Sequence, residues 1–269
     1  MAMIDASRVT VDRTVWRSVA MPSEHGGWGL TLEPVLLGLI VAWSAGGLAL
    51  GVAAFLAFLV RTPLKLVLVD VRRKRWLDRS RLAARVTVAE LCALVLAVVI
   101  TVRLAGWAWF LPVLAALPFV AIEVWFDIRS RGRRLVPELC GAVGITAVSA
   151  AIVIAAGEGA GLAVGVWLVL AARALGAIPF VRVQILRLRR GQAALSQSDL
   201  AQAASLAVGL VAFVVDRRLA AGLVGLALLA VAQTVWVRRA PIPAKQLGLR
   251  QMALGLGLVA LTSAGVLLS

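Results

Sequence analysis

The only histidine in the chain, His25, stands in MPSEHGGWGLTLEP (Met21 to Pro34), beside Glu24 and eight residues before Glu33, where an apolar run begins. So placed, its imidazole can serve as a general base, as a metal ligand, or as the hydrogen-bonding N-terminal end of a helix. Arg61 and Lys65 follow in FLVRTPLKLVLVD, four residues apart and so on one face of a helix. Asp70 closes that segment, and Asp78 ends DVRRKRWLD. Glu90, Glu123, Glu138, Arg173 and Arg182 also lie in or against apolar stretches. An ionisable group inside a span costs about 2.5–3.5 kcal/mol on insertion scales, so it faces a cavity or a partner. One reading places Arg61, Lys65, Arg173 and Arg182 around a polar cavity, with Glu33, Asp127 and Arg187 in the same binding set. Such donors suit a phosphate, a diphosphate or a carboxylate. Asp70, Asp78, Asp127 and Glu138 would then hold a hard cation such as Mg2+ beside the anion. The opposite reading pairs these groups as buried salt bridges, Glu33 with Arg61 for instance. Basic side chains outnumber what Glu33 and Glu90 can pair, which favours the ligand site.

Membrane spans must position these residues. The chain has 269 residues, 62% of them hydrophobic, and a mean hydropathy of +0.97. A soluble domain is about half apolar. Crossing the hydrocarbon takes about 20 apolar residues. Nine such segments are predicted, at 28–46, 47–69, 84–103, 106–126, 135–156, 160–180, 201–216, 219–237 and 249–268. The expected fold is an all-α polytopic membrane bundle, with one transmembrane domain over 21–269. Residues 1–20 carry charges but no apolar core, so they read as a surface amphipathic helix, with Trp16 and Val19 on its apolar side, and not as a signal peptide. Cys92 and Cys140 fall inside apolar runs, and two cysteines with one histidine do not make a zinc site.

Charge tests that register. Twenty-two of the 28 Lys and Arg fall in the N-terminal segment or in alternate connections, the second, fourth, sixth and eighth. The intervening connections hold only Arg103, Arg217 and Arg218. By the positive-inside rule this puts the N-terminus in the cytoplasm and, after nine crossings, the C-terminus outside. The net charge of +15 then belongs to loops facing anionic lipid, not to a nucleic-acid partner. Arg187, Arg189 and Arg190 fit that topological role as well as a phosphate clamp, while Arg182 lies nearest the apolar core.

The pieces MPSEHGGWGLTLEPVLLG, FLVRTPLKLVLVD, FDIRSRGRRLVPELCGA and ARALGAIPFVRVQILRLRRG, in that order, resemble the YwiC-like family of bacterial membrane proteins. That resemblance implies a place in the bacterial cytoplasmic (inner) membrane. The nine-span plan also resembles the UbiA superfamily of intramembrane prenyltransferases. This second likeness implies a central cavity, two aspartate-rich motifs that hold magnesium and a prenyl diphosphate, and an aromatic, quinone-type acceptor. DVRRKRWLD stands where the first motif belongs, which makes Asp70 and Asp78 the implied magnesium ligands. It departs from the pattern: its aspartates are widely spaced and the flanking Asn is missing. RVQILRLRRGQAALSQSD has arginines where the second motif needs aspartates, with only Asp199 at its end. Either the anion is held directly by Arg61, Lys65 and Arg182, or the chemistry is lost or changed. The implied chemistry stabilises a departing diphosphate and shields an allylic cation from water. The implied proton acceptor is His25 or a nearby carboxylate, Glu24 or Asp70. An anion transporter or a non-catalytic lipid- or quinone-binding factor remain alternatives. A transporter predicts broken helices or inverted repeats, and the sequence displays neither clearly.

Overall fold

Helix boundaries follow from where the chain can satisfy its backbone. A computed structural model of the chain describes residues 25–129, 131 and 134–269, together with Trp16, Val19 and Met21; of residues 25–27 it describes the backbone alone. Glu24 and most of the expected N-terminal segment lie outside the described residues. Among the described residues there are nine α-helices and no strand: α1 (His25–Val41), α2 (Ala45–Arg72), α3 (Asp78–Ala105), α4 (Phe110–Ile128), α5 (Leu135–Ala155), α6 (Ala160–Arg190), α7 (Ser196–Val215), α8 (Ala220–Trp236) and α9 (Ala244–Leu267). A short 3-10 turn, Arg217–Leu219, joins α7 to α8. The nine predicted segments each meet one helix. Several helices run further than hydropathy suggests: α3 starts at Asp78 and α6 continues to Arg190. A helix does not stop where the lipid stops, because its hydrogen bonds are internal.

Local chemistry sets the breaks. Ser44 caps α2 by accepting a hydrogen bond from the Gly47 N–H at 2.9 Å. Gly191, at φ +76°, ends α6 in the left-handed region that favours glycine. Among the described residues seven helices, and α8 taken with the 3-10 turn before it, are long and apolar enough to cross a membrane, whereas α1 has only 17 residues. At 1.5 Å per residue α1 is about 25 Å long, near the lower limit for a span.

α1 sits inside the bundle. One apolar cluster joins its Leu37 to α5, α6, α7, α8 and α9 through Val153, Val166, Leu170, Ala212, Leu226 and Leu258. A second joins its Val35 to Leu50 and Ala54 of α2 and to Ile152 of α5. Protein therefore packs against α1 on several sides. α3 and α4 are the opposite case: only 11% of the most apolar stretch of each is buried, against 67% in α6. Their outward Val95, Leu96, Val99, Leu111 and Leu114 face what would be lipid. The molecule is thus a multi-pass membrane bundle with α1, α5 and α6 inside and α3 and α4 at the rim.

Candidate functional site

Two turns of α2 and two turns of α4 build the densest charge cluster. Arg61 and Lys65 lie four residues apart on α2, and Glu123 and Asp127 four apart on α4, so each pair presents one face. Arg61 donates to Asp127 Oδ2 from Nε at 3.2 Å and from Nη2 at 2.9 Å. Lys65 Nζ donates to Asp127 Oδ1 at 2.9 Å. Arg61 Nη2 also reaches Glu123 Oε1 at 2.7 Å. One carboxylate is therefore gripped by two cations. The Asp127 side chain is only 7% exposed, while those of Arg61 and Lys65 remain 40% and 42% exposed. Glu123 has room because Gly141 faces it: a Cβ there would collide with the carboxylate. One turn back on α5, Glu138 Oε2 lies 3.8 Å from Arg182 Nη1 of α6. Arg182 and Glu138 form a separate pair between α5 and α6, related to the α2–α4 cluster through α5, whose Gly141 faces Glu123.

Arg173 joins neither. Nine residues separate it from Arg182, about 13 Å along α6. It is buried against α1 and α9, with Nη2 donating to the Gln251 carbonyl at 2.7 Å and standing 3.9 Å from Glu33 Oε1. Glu33 therefore faces Arg173, not Arg61. Gly255 of α9 makes that possible, since a Cβ at this position would overlap the Glu33 carboxylate. From Gln251 a chain of buried amides continues: Gln233 Nε2 to Gln251 Oε1 at 3.4 Å, then Gln202 Nε2 to Gln233 Oε1 and to the Gly176 carbonyl, both at 3.0 Å. These three glutamines were not singled out from sequence. The readable signal was an uncharged amide in each of three apolar spans, where a polar group calls for a partner across helices.

The remaining expected site residues hold the fold locally. Asp70 accepts from Ser80 Oγ at 2.6 Å and lies 3.6 Å from Arg79 Nη2, which ties the end of α2 to the start of α3. Asp78 is fully exposed, 3.4 Å from Arg81. The two do not converge, and among the described residues no three His, Cys, Asp or Glu side chains group as a metal site. Arg187 donates to the carbonyls of Val237 and Arg239, so it closes the C-terminal end of α8. His25 opens α1, and its side chain lies outside the description, as does Glu24.

A family model described as YwiC-like protein matches residues 21–156, just over half of the chain. The match spans α1 to α5 and includes Arg61, Lys65, Glu123, Asp127 and Glu138. No curated protein and no solved structure matches the chain.

Proposed function

We propose that this chain, which belongs to the YwiC-like family, binds the head group of a prenyl diphosphate or similar anionic lipid at the α2–α4 cluster, opening toward the cytoplasm of a bacterial inner membrane. One observation carries the reading. Arg61 and Lys65 stay about two-fifths exposed within a membrane helix, and together they already hold one anion, Asp127. A diphosphate is a stronger acceptor for the same two donors. Arg182, paired with Glu138 between α5 and α6, is proposed as a further contact for the anion.

Displacing Asp127 has a cost. Its carboxylate is buried, and leaving one partner of a buried pair uncompensated costs about 3–5 kcal/mol. A magnesium ion entering with the diphosphate offsets this, because such ions bind through one or two carboxylates plus phosphate oxygens. Glu123 and Asp127 supply a carboxylate pair on one face, which Asp70 and Asp78 do not. When bound, the ion would neutralise charge on the leaving diphosphate. Transfer of the prenyl group to a quinone-type acceptor is the reaction such a site serves, with His25, Glu24 or Asp70 proposed to take the proton. The even balance of Arg61, Lys65 and Arg182 against Glu123, Asp127 and Glu138 favours a second reading, a non-catalytic lipid- or quinone-binding factor.

Thermal shifts of the purified protein with geranylgeranyl diphosphate, with and without Mg2+, test the binding. The wild type is expected to shift only with Mg2+, and Arg61→Ala to lose the response. Asp127→Asn, which removes the charge that Arg61 and Lys65 share and leaves Arg61 with Glu123, is expected to bind about tenfold more tightly without metal and to lose its metal dependence. A wild type indifferent to every prenyl diphosphate, with or without Mg2+, rules the reading out. Binding without turnover selects the non-catalytic form.

A further inference from the structure

The ends of α2 and α4 meet outside the charge cluster. Arg72 Nη1 donates to the Ile128 carbonyl at 3.0 Å, which holds the α2–α3 connection against the α4–α5 connection. Every residue from Val71 to Arg79 is exposed, including Arg72, Arg73, Lys74 and Arg75. Arg131 and Arg134 are exposed on the neighbouring connection, where the Arg129 guanidinium lies 3.3 Å over the Trp125 ring. The carboxylates of the two helix ends turn the other way. Asp70 and Asp127 are buried against Ser80 and against Arg61 and Lys65, which leaves Asp78 as the exposed acid of this surface among the described residues. Large apolar groups accompany the positive charge: Val71, Trp76, Leu77 and Trp125 are all exposed. Trp beside Arg and Lys is the composition of a segment at the lipid head-group level.

The backbone adds an independent sign. α2 ends with Arg75 N–H donating to the Asp70 carbonyl at 2.9 Å and Lys74 N–H donating to the Val71 carbonyl at 3.0 Å. In this helix ending the residue at the Lys74 position adopts the left-handed conformation and is usually glycine. Lys74 occupies it at φ 52°, the single non-glycine residue with positive φ among those described. A lysine here is strained relative to glycine. The Lys74 side chain is exposed, so its ammonium group is presented at this surface.

We propose that the paired connections after α2 and α4 form a docking surface for anionic phospholipid of the surrounding bilayer. Lys74 and Arg75 on one connection and Arg131 and Arg134 on the other receive its phosphates, and Trp76 and Trp125 lie at head-group depth. A lipid carrying two phosphates bridges the connections and is preferred over one carrying a single phosphate. This surface shares no side chain with the head-group site at Arg61 and Lys65.

Native mass spectrometry of detergent-purified protein exchanged with cardiolipin, phosphatidylglycerol or phosphatidylcholine tests the proposal. The wild type is expected to retain cardiolipin over phosphatidylcholine at least tenfold, with retention falling as salt rises. Arg75→Gln/Arg131→Gln/Arg134→Gln should lose that preference. Arg189→Gln/Arg190→Gln/Lys245→Gln, which removes three charges elsewhere, should keep it. Lys74→Gly should raise Tm in uncharged detergent yet retain less cardiolipin, a combination that a purely structural role for the lysine does not produce. Equal retention in the two triple variants, or unchanged retention in Lys74→Gly, overturns the proposal.

Discussion

Arg173 and Glu33 illustrate how a charge is tolerated inside a bundle. The two stand 3.9 Å apart, and Arg173 spends its hydrogen bond on a backbone carbonyl, so each depends on the other mainly through charge. Removing one partner leaves the other uncompensated in a medium of low dielectric constant. Arg173→Met is therefore expected to lower stability by about 3–5 kcal/mol. Glu33→Gln in the same chain should restore part of that loss. A double-mutant cycle on unfolding in detergent measures the difference, and strictly additive losses would mean the pair does not interact. The sequence displayed both residues as anomalies in apolar spans. It assigned Glu33 the wrong illustrative partner, because Arg61 and Arg173 are equally basic and only packing separates them. His25 and Glu24 stay at the stage of a sequence expectation, since neither side chain is described.

Single turns between helices carry more than connection. Asp216 ends α7 and starts the 3-10 turn, accepting from the Arg218 backbone N–H at 3.0 Å and from the Arg218 guanidinium at 2.7 to 3.2 Å. That side-chain hydrogen bond, more than the backbone one or simple charge attraction, holds the Asp216 carboxyl below its ordinary range against the opposing effect of burial. A carboxyl lowered in the folded state stabilises the fold above its unfolded value, near 3.9, and that contribution fades as pH falls through the folded value. Acidification from about pH 5 to pH 3 should accordingly lower Tm more in the wild type than in Asp216→Asn. Equal slopes would show that the turn does not sense pH through this residue. At neutral pH, loss of the cap in Asp216→Ala should cost about 0.5–2 kcal/mol. Arg217 and Arg218 were legible as a short connection between two apolar segments. The hydrogen-bonded ring that makes it specific was not, because it depends on the turn closing first.

Side-by-side contacts order the whole molecule. Gly29 lies against Met252 and Glu33 against Gly255, so α1 and α9 run in the same direction. Gly38 meets Ile152 near the end of α5, as expected if α5 runs with them. The start of α1 and the end of α9 therefore lie at opposite ends of the bundle, even though α1 is short. Combined with the concentration of Lys and Arg in alternate connections, this predicts a cytoplasmic N-terminus and an external C-terminus. A C-terminal alkaline phosphatase fusion should be active and a C-terminal green fluorescent protein fusion dark; the reverse would invert the orientation of the bundle. The sequence alone determined the solvent and the number of helices, and it displayed the concentration of basic residues in alternate connections, because hydropathy and loop charge act over whole segments and need no partner. Only the tertiary structure decided which cation meets which carboxylate. It set Arg61 and Lys65 against Glu123 and Asp127, Arg182 against Glu138, and Arg173 against Glu33. Ion pairing acts over a few ångströms across helices far apart in sequence, and those distances exist only once glycines such as Gly141 and Gly255 have let the helices close.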